Sequence, residues 1–273
     1  MGLFDVIEDI SEKNIMKTET GDNRIFGIIV GEVVDNYDQE RSGRICVSIH
    51  TRDSDANVLK WAKVAEPYIG KSWGMFFLPE VGDQVLVAFD QGNIERPYVI
   101  GCIPKDSDKF LTKSKDEQNQ KKRIVTRHGN AIEFFDGEPD EGTAENKDSI
   151  TITTPESKHS IVLNDEKQII TIKDKDENCK IEMKTKDGQM TVNANKKLTL
   201  TVGDSIKITL NGDSGKVLVE AKDVSVESSG KMALKATNKT DITGGGITVE
   251  STGMLKLSAG GMMTAEGKPV KLG

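Results

Sequence analysis

No aromatic residue follows Phe135. All thirteen Phe, Trp and Tyr residues lie between Phe4 and Phe135, so residues 136–273 must fold without one. A globular domain takes a large share of its buried area from aromatic rings, so a segment this long without any is either disordered or built around a very narrow core. Disorder does not fit, because aliphatic and β-branched residues keep recurring at i, i+2. The core must be narrow.

The recurrence is regular. Apolar pairs stand at Ile150/Ile152, Ile161/Leu163, Ile170/Ile172, Ile181/Met183, Met190/Val192, Leu198/Leu200, Ile206/Ile208, Val217/Val219 and Val224/Val226. They continue at Met232/Leu234, Ile247/Val249, Leu255/Leu257 and Val270/Leu272, with starts mostly 7 to 11 residues apart. Asn, Asp, Gly, Ser and Lys fill the gaps, and the turns become richer in glycine at Gly244-Gly245-Gly246 and Gly260-Gly261. In "KKLTLTVGDSIKITLNGDSG" (196–215) the alternation is strict, giving each strand one apolar and one wet face. A chain that encloses its own solenoid core needs coils of roughly 20 residues. The shorter interval favours a prism shared by three chains, each giving one strand per face. An antiparallel meander of hairpins fits the same spacing. For a shared prism the predicted core residues are Leu198, Leu200, Ile206, Ile208, Leu210, Val224, Val226, Leu255 and Leu257.

The first half has another character. Residues 3–16, "LFDVIEDISEKNIM", place Leu3, Val6, Ile7 and Ile10 on one face of a short amphipathic helix, followed by the polar stretch "KTETGDNR". The stripe is either packed on its own domain or a docking peg. From Arg24 to Ile103, strand-like runs turned by Gly and Pro predict five or six strands in a small closed barrel of the OB type.

"GIIVGEVVDNYDQERSGRICVSI", followed by "WAKVAEPYIGKSWGMFFLPEVGDQVLVAFDQGNIERPYVIG", resembles the OB domain of contractile-tail spike proteins, namely phage baseplate assembly protein V and the type VI secretion VgrG proteins. The run "FFLPEVGD" is its most specific part. "RIVTRHGNAIEFFDG" and the strands after it resemble the start and shaft of the same family's triple-stranded β-helix. The resemblance implies an all-β homotrimer. Its parts are an N-terminal helix and linker (1–23), an OB barrel (24–104), a polar linker (105–122) and an intertwined triple-stranded β-helix with the tip (123–273).

The resemblance also implies a function, the central spike of a contractile injection system that punctures a cell envelope. Few residues precede the barrel, so a separate hub protein is expected, held through Leu3, Val6, Ile7 and Ile10. The junction "PKDSDKFLTKSKDEQNQKK" is too short and polar for the lysozyme domain that some phage spikes insert there. A PAAR-like tip protein is expected on Pro269, Val270 and Leu272.

The chemistry-bearing residues point the same way. Cys46, Cys102 and Cys179 are isolated, read as reduced thiols, with two in the barrel core. His50, His128 and His159 are scattered, and none follows His159, so no metal site is expected at the tip. "DKDEN" imitates a calcium loop through Asp174, Asp176 and Asn178. It has Cys179 and Thr185 where such a loop needs Gly and Glu, and is read as a strand-to-strand turn. No nucleophile motif or P-loop occurs, so neither enzyme activity nor a cofactor is expected.

A formal charge of −7 argues against nucleic acid and anionic membranes as partners. No apolar run approaches the ~20 residues of a membrane span, and no signal peptide is visible. The expected setting is synthesis in the cytoplasm and action within an extracellular particle, with transient target-membrane contact. Two other classes fit less well. An OB-type nucleic-acid or carbohydrate-binding module on a fibrous stalk needs exposed aromatics, and the barrel aromatics are read as core. A solenoid polysaccharide-degrading enzyme needs longer coils with aromatic subsites.

Overall fold

The computed structural model describes residues 24–49, 58–139 and 146–271. The hub-docking stripe, His50 and Leu272 lie outside these residues. The described chain is nearly all β and divides into two units, one comprising residues up to Leu198 with 211–214, the other Thr199–Leu210 with the remainder.

The first unit opens with a closed five-stranded barrel in the order β1-β2-β3-β5-β4. Its strands are β1 (Ile29–Asp35), β2 (Arg44–Ile49), β3 (Val58–Val64), β4 (Gln84–Phe89) and β5 (Pro97–Ile103). All neighbours are antiparallel except β3 and β5. Closure removes the sheet edges. The core is small and aliphatic: Val33, Ile45, Val47, Ile49, Ala62, Val85, Val87 and Val99.

This corrects the expectation that the barrel aromatics are core. Trp73, Phe76 and Phe77 are 56%, 62% and 56% exposed. Val and Ile on five short strands already fill most of so small an interior, and of the aromatic residues Phe89, half-buried, packs against it. Of the two cysteines expected in the barrel core, Cys46 is buried and Cys102 is exposed. In β5, Val99 faces the core and Cys102 falls on the opposite parity.

After a short helix, α1 (Lys109–Ser114), seven strands form one sheet: β6 (Lys121–Val125), β7 (Ala131–Phe135), β8 (Ser149–Thr153), β9 (His159–Asn164), β10 (Ile169–Asp174), β11 (Cys179–Lys184) and β12 (Gln189–Ala194). Each pairs antiparallel with its sequence neighbour. Within the chain, β6–β12 adopt the antiparallel meander that the spacing permits. Short turns such as Asn164–Gln168, in which the Lys167 N–H donates to the Asn164 side chain, fold each strand back on its predecessor.

The second sheet contains β13 (Lys197–Val202), β14 (Ile206–Asn211) and β15 (Lys216–Glu220). Between β13 and β14 runs the turn Gly203-Asp204-Ser205, with Gly203 at φ 55°. From Ala221 to Lys271 no described residue belongs to a strand, although the apolar alternation continues through Val224, Val226, Leu255 and Leu257.

Candidate functional site: an uncovered apolar face

Antiparallel registers turn the alternation of β6–β12 into two continuous apolar rows. One runs Ile124, Ile132, Ile152, Ile161, Ile172, Ile181, Val192 across all seven strands. Two residues along, the other runs Phe134, Ile150, Leu163, Ile170, Met183, Met190, with Lys122 opposite Phe134 at its end. Side chains directly opposite across a sheet lie close enough to pack as pairs. Each row is therefore a ladder of apolar pairs.

Most of these side chains are uncovered. Ile152, Ile161 and Ile172 are 40%, 37% and 41% exposed, and Val192 and Met190 more so. The opposite face carries Arg123, Glu133, Thr151, Thr171 and Glu182 and is the better shielded of the two over most of the sheet. Arg123 Nε lies 2.8 Å from Glu133 Oε2, and Lys180 Nζ lies 2.8 Å from Glu182 Oε2. A self-sufficient sheet buries its apolar face; this one wets it. Its apolar side borders a concavity of about 960 Å3.

The same is true of the predicted core residues from Leu198 onward. Leu198 and Ile208 are half-buried, while Leu200, Ile206 and Leu210 are exposed. Val224, Val226, Leu255 and Leu257 are 64%, 66%, 52% and 71% exposed. The predicted core list omitted every residue of β6–β12, although the i, i+2 pairs there were visible. Pairing register, which aligns those pairs into rows, cannot be read from a period of two. Of the predicted tip residues, Val270 is 48% exposed and Pro269 is also exposed.

The calcium-loop imitation lies between β10 and β11. Asp174 Oδ1 accepts the Cys179 backbone N–H at 2.6 Å, and the Asn178 amide approaches Oδ2 at 3.4 Å. The Cys179 N–H is the main reason its carboxyl is held below the usual range, with burial working the other way. A lowered pKa means the charged form supports the fold. That support is complete above the unfolded value near 3.8 and is lost as pH falls through the lowered folded value. Asp174→Ala should therefore speed amide exchange at Cys179 at neutral pH, an effect the unaltered chain shows only below about pH 3.8. Unchanged exchange in the variant would remove this role.

His128 sits in the β6–β7 turn, and His159 opens β9 with Nδ1 3.4 Å from Thr154 Oγ1. Among the described residues no three His, Cys, Asp or Glu side chains are grouped to hold a metal. Among them, too, no helix is long and apolar enough to cross a membrane.

Comparison with known proteins identifies the barrel. Residues 29–103 match the type VI secretion system/phage-baseplate injector OB domain. The barrel is VgrG-like. Over 79 residues the chain is 29% identical to the type VI secretion system spike proteins VgrG1a and VgrG1c of Pseudomonas aeruginosa, and 30% identical to VgrG5 of the same organism. These matches cover 28% of this chain and 12%, 11% and 10% of those proteins. The match thus spans about a tenth of the length of these curated relatives. The VgrG-like barrel is followed, after α1, by the uncovered sheet. The similarity rests on the barrel, which is of the type VI and phage-baseplate injector kind.

Proposed function

We propose that the chain is one third of a homotrimeric central spike of a contractile injection system, set below the tube and hub, that punctures the target envelope. The observation carrying this reading is the apolar face of β6–β12, continued by the exposed apolar residues of 198–257. Three copies with these faces inward and their ion-paired faces outward form a narrow core in which the segment beyond Glu220 gains strand partners from other chains. Folding and assembly are then one event, and the role is mechanical rather than enzymatic. Contraction supplies force, and the intertwined β-helix supplies stiffness.

Light scattering should give three times the 29.9 kDa chain mass, with a trimer that survives SDS without heating. A monomer would remove the proposal. Leu3, Val6, Ile7 and Ile10 attach the spike to a hub protein, so deletion of residues 1–20 should leave trimers that no longer enter particles. Pro269, Val270 and Leu272 take a PAAR-like tip protein, so removing residues 268–273 should abolish that binding while the trimer persists. Normal incorporation or tip binding after either deletion would cancel the corresponding assignment.

A second reading, an OB-type nucleic-acid or carbohydrate module on a trimeric stalk, is favoured by the exposed Trp73, Phe76 and Phe77. The −7 charge weighs against its nucleic-acid form.

A further inference from the structure

The loop joining β3 to β4 displays a dense aromatic patch. Tyr68, Trp73, Phe76 and Phe77 are 61%, 56%, 62% and 56% exposed, accompanied by Ile69 and Met75. These residues are carried on a built hairpin. Ile69 bridges Gly74, the Gly70 N–H donates to the Trp73 carbonyl at 2.8 Å, and the Met75 N–H to the Tyr68 carbonyl at 2.7 Å. The Tyr68 and Trp73 rings lie with centroids 4.6 Å apart, and the Glu66 carboxylate accepts the Phe77 N–H at 3.1 Å.

Two glycines are required. A Cβ on Gly70 would collide with the Trp73 indole, and Gly74, at φ +147°, would carry one 2.7 Å from Ile69 Cα. A patch fixed in advance loses little entropy when a partner covers it.

Its position identifies the partner. Phe77 borders the same concavity as Ile124, Ile132, Ile152, Ile161 and Ile172. Arg127, in the β6–β7 turn, donates to the Glu80 carboxylate at 3.1 Å and ties the loop to the sheet. Phe77 thus brings the end of the aromatic hairpin to the border of the apolar sheet face. The sheet's short aliphatic rows must close a wide space beside the barrel, and no aromatic lies beyond Phe135 to help. The uncovered apolar face of β6–β12, on which the trimer reading rests, calls for further copies of this chain.

We infer that the hairpin Tyr68–Phe77 is an inter-chain clamp, its rings packing on the sheet face of a neighbouring copy and sealing the barrel end of the shared core from water. The inference rests on the trimer reading. The chain has two tryptophans, Trp61 and Trp73, so Trp61→Phe in the full chain leaves Trp73 as the only indole. The trimer should show blue-shifted emission and acrylamide quenching several-fold weaker than after dissociation. As an independent arm, Phe77→Ser should abolish SDS resistance, whereas Tyr37→Ser, altering an exposed ring outside the hairpin, should preserve it. A fully quenchable Trp73 in a species of trimer mass, or equal effects of the two serine variants, overturns the clamp and leaves the trimer standing. A monomer overturns both. A saturable change in Trp73 emission on adding an oligo-dT single strand assigns the hairpin to nucleic acid instead and also overturns the clamp.

Discussion

Ile161→Asp should abolish assembly of the full chain, while Thr171→Lys should leave it intact. Ile161 is in the middle of the first apolar row, opposite Ile152 on one side and Ile172 on the other. In a three-fold shared core the substitution brings three carboxylates toward one axis. Burial and like charge both oppose their ionisation, and each buried ion costs several kcal/mol. Protonation lessens that penalty but leaves three polar groups without designed partners. Thr171 belongs to the other face, opposite Val162 and Glu182, where a lysine meets a carboxylate and water. Size-exclusion chromatography with light scattering reads the result. If both variants assembled, or neither did, the sheet would have its inward face misassigned.

The contrast depends on face rather than strand, and face was legible early. Alternation from Ile150 onward separates wet from apolar positions, and glycine- and asparagine-rich gaps mark the corners. The barrel was legible for a similar reason: β-branched runs such as "RICVSI" and "QVLVAF" became β2 and β4. Strand partnership was not legible. A meander within one chain and a ladder between chains have the same local period, and only turn geometry separates them.

The aromatic hairpin was missed for another reason. Rings are normally the best core material, so "SWGMFFLPEVG" was read as interior. Two signals in it point outward. Adjacent Phe76 and Phe77 cannot both face one side of a strand, and Gly70 and Gly74 bracket Trp73 as turn residues do. The small Val- and Ile-filled barrel had no room for them. Asp174 secures its own turn, and His159 meets Thr154.

The full chain should unfold in two steps that respond differently to dilution. The barrel has its own closed core, from Val33 to Val99, so its transition is a property of one chain and independent of concentration. Strands β6–β15 and the segment after Glu220 leave their apolar residues wet unless other copies cover them, so their transition involves three chains separating. For a trimer, each tenfold dilution favours dissociation by about 2.8 kcal/mol, twice the ~1.4 kcal/mol of a single tenfold factor. Trp73→Phe leaves Trp61, on β3, to report the barrel by fluorescence. Far-UV circular dichroism follows the more numerous strands beyond it. After equilibration in denaturant, the dichroism midpoint should fall with each dilution while the Trp61 midpoint stays fixed. Two midpoints that both ignored concentration would mean the apolar rows are satisfied within a single chain, and the shared core would have to be abandoned.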